Sequence, residues 1–208
     1  MSMQINDEGS LIIKAPFFMD KADIENFIER NQNWIHKRKN IIEKRKSFAK
    51  PKEFIDGEKF LFLGDEYSLK LVDRLKEGLT LEKEFLFAKN KLYKARDVFI
   101  NWYKSEAIGV IKDRVDYYTG ITGDSYSKIK INSAQGRWGS CSGKGNLNFS
   151  WRLILAPFEV VDYVVVHEVA HIKVRNHSKM FWQRVESLMP EYRKHKRWLK
   201  DNGWMLNV

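Results

Sequence analysis

The pattern of apolar and polar positions predicts short strands alternating with amphipathic helices along the whole chain. A first strand over residues 9–15 is expected to end at Pro16, and a helix follows from Asp20, a good capping residue. The apolar positions of this helix recur at roughly helical spacing: Ile24, Phe27, Ile28, Trp34, Ile35, Ile41 and Ile42. The helix is expected to give way to the charged stretch 44–52.

A hairpin and a long helix are predicted next. Residues 60–63 and 67–72 flank Gly64-Asp65 in the manner of a β-hairpin, and residues 79–88 offer one or two further strands. Residues 92–118 carry apolar side chains at helical spacing, and Gly120 is expected to end that helix.

The second half of the chain changes character. A strand is predicted over residues 127–133, a hairpin over 137–150 with its turn at Gly143, and a buried helix over 158–174. Two more helices follow, from about Ser178 to Pro190 and from Glu191 to about Asp201. These elements predict an α+β fold divided near residue 90, with a small α+β N-terminal part, 1–90, and a C-terminal part, 91–208.

Composition narrows the class of protein. Hydrophobic residues make up 43% of the 208 positions and charged residues 31%, as in a soluble globular protein. The formal charge of +10 favours acidic partners, although many basic proteins bind none. Cys141 is the single cysteine, which favours a reducing compartment, and no apolar run approaches the length of a membrane span. A cytoplasmic protein with no membrane partner is therefore expected.

One motif carries recognisable chemistry. His167-Glu168-Val169-Ala170-His171 lies within the predicted apolar helix. Histidines four residues apart are only about 40° out of register, so both imidazoles can reach one zinc ion. Glu168 lies on the adjoining side of the helix, where it can take a proton from a zinc-activated water. A buried carboxylate among valines has no structural purpose of its own, so the motif predicts a metal site.

A catalytic zinc site needs a third protein donor and one open position. His177 follows six residues after His171, but in a continuous helix it would face about 240° away from His171. The helix is therefore expected to pass Val174 and to break between residues 175 and 178, where Asn176 tolerates a left-handed conformation. The alternative donors are Glu186 and Glu191, by analogy with zinc sites completed from a later helix.

The chain resembles the YgjP-like zinc metallopeptidases, which are related to the SprT-like and WLM zincin proteases. The resemblance rests on Arg137-Trp138-Gly139-Ser140-Cys141, Asn148, Leu153-Ile154-Leu155-Ala156-Pro157, Asp162 through Glu168, Asn176-His177-Ser178, Phe181-Trp182 and Pro190. It implies a zincin-like catalytic domain in the C-terminal part. It also implies one Zn²⁺ per chain, with His167, His171 and His177 as ligands and Glu168 as general base.

Several other residues have both a functional and an ordinary interpretation. Residues 137–142 could edge the cleft as a strand to which a peptide adds, and Cys141 is interpreted as a packing residue. Phe181 and Trp182 are expected to anchor the last helices. The basic segment within 37–52 could bind a nucleic-acid backbone, although a solvated helix face and loop is the favoured interpretation. Tyr192 and His195 could stabilise an oxyanion, but nothing in the sequence brings them to the metal.

The predicted function is a zinc-dependent metallopeptidase acting on a peptide or protein substrate, with Glu168 as general base. The first alternative is a zinc-dependent hydrolase of a nucleotide phosphoanhydride, which the positive charge favours but no glycine-rich phosphate loop supports. The second is a non-catalytic binding module with structural zinc. Structural sites are closed by four ligands and are usually rich in cysteine, whereas this chain has one cysteine.

Overall fold

The computed structural model describes residues 1–6, 8–48 and 51–208, and for 44–48 it describes the backbone alone. By its internal contacts the chain divides into two compact units, Met1–Pro51 and Lys52–Val208. Each unit combines helices with strands, which confirms the predicted α+β class. None of the helices in these described ranges is long and apolar enough to cross a membrane.

The first unit contains a two-stranded antiparallel sheet and two helices. Its elements are β1 (Ser2–Ile5), β2 (Leu11–Lys14), α1 (Lys21–Arg30) and α2 (Gln32–Phe48). The single helix predicted after Asp20 is divided at Asn31, whose side-chain amide donates a hydrogen bond to the carbonyl of Phe27 (2.8 Å). Asparagine favours such local bonds to the backbone over helix continuation. Beyond this division, α2 runs on to Phe48 rather than ending near residue 44.

A small apolar core holds the first unit together. It consists of the buried Ile5, Ile35 and Ile42, with Met3, Leu11 and Ile28 packed against them. Of the basic segment, Lys37, Arg38 and Lys39 lie on α2, whereas the side chains of 44–50 fall outside the described residues. Lys52 belongs to the second unit, where its ammonium donates to the carbonyl of Lys59 (2.6 Å).

The second unit begins with a four-stranded sheet in the order β3-β4-β6-β5. Its strands are β3 (Lys59–Phe62), β4 (Asp65–Val72), β5 (Leu79–Leu81) and β6 (Phe85–Ala88). The predicted hairpin is confirmed: β3 and β4 pair antiparallel across a tight turn at Leu63 and Gly64. Both turn residues have positive φ angles, of 50° and 90°, as turns that match the strand twist require.

Helix α3 (Ala95–Thr122) follows a short 3₁₀ segment (Lys89–Lys94) and forms the centre of the unit. Its buried residues recur at nearly every fourth position: Ala95, Phe99, Tyr103, Ala107, Ile111, Val115, Tyr118 and Thr119. This spacing places the buried side chains in one continuous stripe along the helix, which packs against the core. The helix ends at Gly123, in the left-handed conformation (φ 66°), and not at Gly120 as predicted.

Aromatic rings join the four-stranded sheet to α3. Phe99 of α3 lies 4.3 Å from Phe60 and 5.7 Å from Phe87, measured between ring centroids. The hydroxyl of Tyr103 donates to the carbonyl of Leu61 (2.7 Å). The boundary predicted near residue 90 therefore falls inside the second unit, because strands before it and the helix after it share one core.

A three-stranded sheet and the last helices complete the second unit. The elements are β7 (Lys128–Asn132), β8 (Gly139–Cys141), β9 (Asn146–Ser150), α4 (Phe158–Lys173), α5 (Lys179–Leu188) and α6 (Tyr192–Asn202), with 3₁₀ segments at Trp151–Leu155 and Gly203–Met205. The sheet order is β7-β9-β8, so β8 is an edge strand. The hairpin predicted over 137–150 is confirmed by the antiparallel pairing of β8 with β9.

The turn at Gly64 gives a test of the packing in the second unit. A Cβ added at Gly64 would lie 2.8 Å from the Cα of Pro157, at the start of α4, whereas one at Gly57, also at positive φ, would meet nothing. Gly64→Ala should therefore lower the free energy of unfolding by about 1–3 kcal/mol more than Gly57→Ala does. Urea denaturation of both variants measures the difference. Equal losses would show that the contact with Pro157 has no energetic weight.

Candidate metal centre

Helix α4 holds the predicted motif within an otherwise apolar surface. The valines of α4 at positions 160, 161, 164, 165, 166 and 169 are all buried. Pro157 precedes the first turn, where its missing N–H removes no helical hydrogen bond. His167 and His171 are half-buried, and Glu168 is only 5% exposed. Packing of the valines thus brings three polar side chains into the protein interior.

The helix ends immediately after the motif. Val174 is already extended (φ −120°, ψ 101°), and its N–H donates to the carbonyl of Ala170 (3.0 Å). The predicted helix end between residues 175 and 178 was therefore wrong, because the chain leaves the helix at Val174. Asn176 is not among the residues with positive φ, so no left-handed asparagine is needed. α5 then starts at Lys179, after Ser178 in the N-cap position.

The short segment 174–178 brings His177 back to the two histidines of α4. The Nε2 atom of His177 lies 2.9 Å from Nε2 of His167 and 3.2 Å from Nε2 of His171. Nitrogens bound to one tetrahedral zinc ion at about 2.0–2.1 Å would lie about 3.3 Å apart. Within the described part of the chain, this is the one group of His, Cys, Asp or Glu with spacing suited to a metal.

Hydrogen bonding and burial favour the metal-binding form of the imidazoles. Nδ1 of His171 lies 3.0 Å from the carbonyl of Val174, which can only accept, so Nδ1 carries the proton and Nε2 has a free lone pair. Burial, reinforced by the charges of His171 and then His177, lowers the pKa of His167 to about 3. Burial also lowers the pKa of His171. Neutral imidazoles bind metals, so this donor set fits a divalent cation.

Glu168 lies against the edge strand. A Cβ added at Gly139 of β8 would come within 2.6 Å of Oε1 of Glu168, so only glycine fits there. Oε2 of Glu168 is buried without a hydrogen-bond partner among the described residues. Burial raises the pKa of Glu168 to about 8, and the charge of Arg137 opposes this rise. An orphaned buried carboxylate oxygen is costly unless a cation, water or ligand completes it.

Aromatic rings from α5 surround the three imidazoles. The ring centroid of Phe181 lies 4.8, 4.4 and 4.8 Å from those of His167, His171 and His177. Trp182 stacks on His177 at 5.7 Å. From the sequence, Phe181 and Trp182 were expected only to anchor the last helices on the core. They follow His177 by four and five residues, and this short spacing was the signal in the sequence that their rings contact its imidazole.

The segment that carries His177 is anchored on one side by Arg175. Its guanidinium donates to the carbonyls of Ser142 (2.7 Å) and Gly143 (3.2 Å), at the turn between β8 and β9. Arg175 also contacts the sulfur of Cys141 (3.4 Å), whose thiol pKa is raised by burial.

A buried aspartate anchors the other side. The side chain of Asp124, just beyond α3, is fully buried and pairs with Arg184 of α5. Its Oδ1 lies 3.8 Å from the ammonium of Lys173, the last residue of α4. Asp124 therefore links the end of α4 to α5, across the segment that bears His177.

The other candidates lie outside the histidine group. Glu186 pairs with Arg193 (2.9 Å), and Glu191 occupies the N-cap position of α6. Tyr192 stacks on Trp182 (5.4 Å), the ring that also stacks on His177. His195 is buried on α6.

Replacing Asp124 tests the anchoring of this segment. Asp124→Asn removes the charge with little change in volume and leaves the partly buried Arg184 unpaired, which should lower the free energy of unfolding by about 2–4 kcal/mol. It should also weaken metal binding, measured by titration. Glu186→Gln breaks an exposed pair and serves as control, with an expected effect below about 1 kcal/mol. Similar effects of the two substitutions would contradict this role of Asp124.

Comparisons with known proteins identify the family of the chain. No curated protein matches the chain. Among solved structures, the metallopeptidase zymogen of Pyrococcus abyssi abylysin is similar at 23% identity, with a TM-score of 0.40, over 43% of this chain and 92% of that one. The family model for the YgjP-like metallopeptidase domain matches residues 1–202. The predicted family is confirmed: the chain belongs to the YgjP-like metallopeptidases.

Proposed function

We propose that the protein is a zinc-dependent peptidase in which His167, His171 and His177 hold one Zn²⁺ and Glu168 acts as general base. The observation that carries the proposal is the convergence of three imidazole nitrogens within 4.8 Å of one another, near the buried carboxylate of Glu168, whose Oε2 lacks a hydrogen-bond partner among the described residues. Family membership supports a metal and a peptide or protein substrate. Three histidines with a position left open are a usual ligand set of catalytic zinc, which supports zinc as the metal.

The number of donors favours a catalytic site over a structural one. Structural zinc sites are usually closed by four protein ligands, whereas catalytic sites use three and leave a position for water or substrate. In the described residues three histidines converge and no fourth donor joins them. A non-catalytic zinc module is therefore the less favoured alternative.

Each residue of the site has a defined role in hydrolysis. When bound, zinc supplies Lewis-acid chemistry: it lowers the pKa of water towards about 7 and polarises a carbonyl group. Glu168 accepts the proton of the attacking water on its carboxylate and later delivers it to the leaving amine nitrogen. Phe181 excludes water from one side of the imidazoles.

The edge strand β8 offers a place for the substrate backbone. β8 pairs with β9 on one side, and in the described sheet its other edge has no partner strand. Gly139, its first residue, packs against Glu168. An extended peptide that adds to this edge would carry its backbone past the general base.

Replacement of Glu168 tests the catalytic proposal. Glu168→Gln keeps the shape of the side chain and all three imidazoles but cannot accept a proton. Turnover of an unstructured polypeptide should fall by about 10²–10⁴-fold while zinc content stays at one per chain. Peptide cleavage assays and elemental analysis on the same preparation measure both quantities.

The substrate panel for that experiment should contain peptides, unfolded proteins and nucleotides. Near-normal hydrolysis by the zinc-loaded variant would show that Glu168 is not the general base. Zinc-dependent nucleotide hydrolysis without any peptide cleavage would favour the phosphoanhydride hydrolase instead, the function that the +10 charge makes the main rival.

The third ligand is tested separately by zinc retention after dialysis. His177→Ala should lose most of its zinc, because two histidines on one helix leave the ion with too few protein donors. Glu186→Ala and Glu191→Ala should retain it and serve as controls for the glutamate alternatives. Stoichiometric zinc in His177→Ala, together with loss in either glutamate variant, would reverse the assignment.

A further inference from the structure

A cavity of about 360 Å³ opens beside the residue that precedes the edge strand. Its walls include Trp138, Leu199, Trp204 and Leu206, with the amide side chains of Gln135 and Asn207. The indole of Trp138 packs so closely on Gly203 that a Cβ there would lie 2.7 Å from it. The volume is within the range of ligand pockets and is large enough for one side chain or a chain terminus with its waters.

Arg152 provides the positive charge of this cavity. Its guanidinium donates one hydrogen bond to the carbonyl of Ser133 (2.9 Å) and stacks on Trp151. No acidic side chain among the described residues forms an ion pair with it. Burial and the nearby charge of Arg96 lower its pKa, so the cation is poorly compensated by the protein itself. Arginine without a carboxylate partner, in a partly enclosed site, favours an anionic ligand that can accept two parallel hydrogen bonds.

The cavity lies close to the general base along the chain. Trp138 contributes to its wall, and the next residue, Gly139, packs against Glu168. Successive residues of a strand are about 3.3–3.4 Å apart, so a wall residue of the cavity is the direct neighbour, along the backbone, of the residue that packs against the base. A peptide extended along β8 would therefore reach it within a few residues of the bond being cut.

We propose that this cavity is a specificity pocket in which Arg152 binds a carboxylate of the substrate peptide, within a few residues of the scissile bond. The inference rests on the proposed peptidase function and names its preferred substrate class, acidic peptides. The carboxylate comes either from an Asp or Glu side chain or from the C-terminus of the peptide. The tryptophans and amide groups that line the cavity suit a side chain or terminus that has both an apolar part and a charged end.

The test compares matched peptides on the zinc-loaded enzyme. One pair differs only in a C-terminal carboxylate or carboxamide, and a second series exchanges Glu for Gln at each position within four residues of the scissile bond. The wild type should show about tenfold higher kcat/KM for the acidic member of one of these pairs. Which pair shows the difference identifies the source of the carboxylate.

Two variants remove the proposed interaction in different ways. Arg152→Gln deletes the charge, and Asn207→Asp places a competing carboxylate in the cavity while leaving the bond from Arg152 to Ser133 intact. Both should reduce the acidic-to-neutral ratio of kcat/KM to within about twofold of unity. Arg96→Gln removes a neighbouring positive charge outside the cavity wall and should retain the preference.

Binding measurements separate this inference from the proposed function. The same peptides are titrated into zinc-loaded Glu168→Gln protein by calorimetry, with and without the Arg152→Gln change. Tighter binding of the acidic peptide that depends on Arg152, with no cleavage by the wild type, would support the pocket and overturn the peptidase. A wild type without preference in rate and binding, or an unchanged preference in both Arg152→Gln and Asn207→Asp, would overturn the pocket.

Discussion

Burial of a polar face on an apolar helix is the constraint on which the second unit depends. α4 packs its valines into the core, and this packing carries Glu168 and the two motif histidines away from water. Burial of such groups without partners would cost several kcal/mol. Around them the protein supplies the His177 imidazole, the ring of Phe181 and the close approach of Gly139. Two buried atoms of the motif lack a hydrogen-bond partner among the described residues, Nδ1 of His167 and Oε2 of Glu168, and the second belongs to the group proposed as the base.

The geometry of the third imidazole is set by segments distant in sequence. His177 lies in a five-residue segment between two helices, and Arg175 attaches that segment to the β8–β9 turn. Asp124 pairs with Lys173 before the segment and with Arg184 after it. A helix alone can orient two histidines, but the third needs these cross-links because nothing within residues 174–178 defines a regular conformation.

Local patterns were sufficient for much of this fold and for the motif. Residue spacing predicted both hairpins, α3 and α4, and the short interval between His171 and His177 indicated that the chain must turn there. The end of α4 was predicted too late in the chain. Nδ1 of His171 donates a hydrogen bond to the carbonyl of Val174, and helix propensities do not include such a side-chain contact. The joining of residues 52–90 to α3 depends on ring packing between Phe60 and Phe99, which composition does not reveal. The approach of Gly139 to Glu168 likewise arises from tertiary packing.

The shortness of β8 has a consequence for the kind of chain that can be recognised. Gly139–Cys141 provides three residues, about 10 Å of strand, and a longer exposed edge would invite pairing with other copies of the protein. A strand of three residues can form backbone hydrogen bonds with only a few N–H and C=O groups of another chain. Those groups must not already be hydrogen-bonded. In the proposed binding mode, most amides and carbonyls of a folded domain are engaged in its own helices and sheets, so a locally unfolded segment offers far more backbone groups for this edge to pair with.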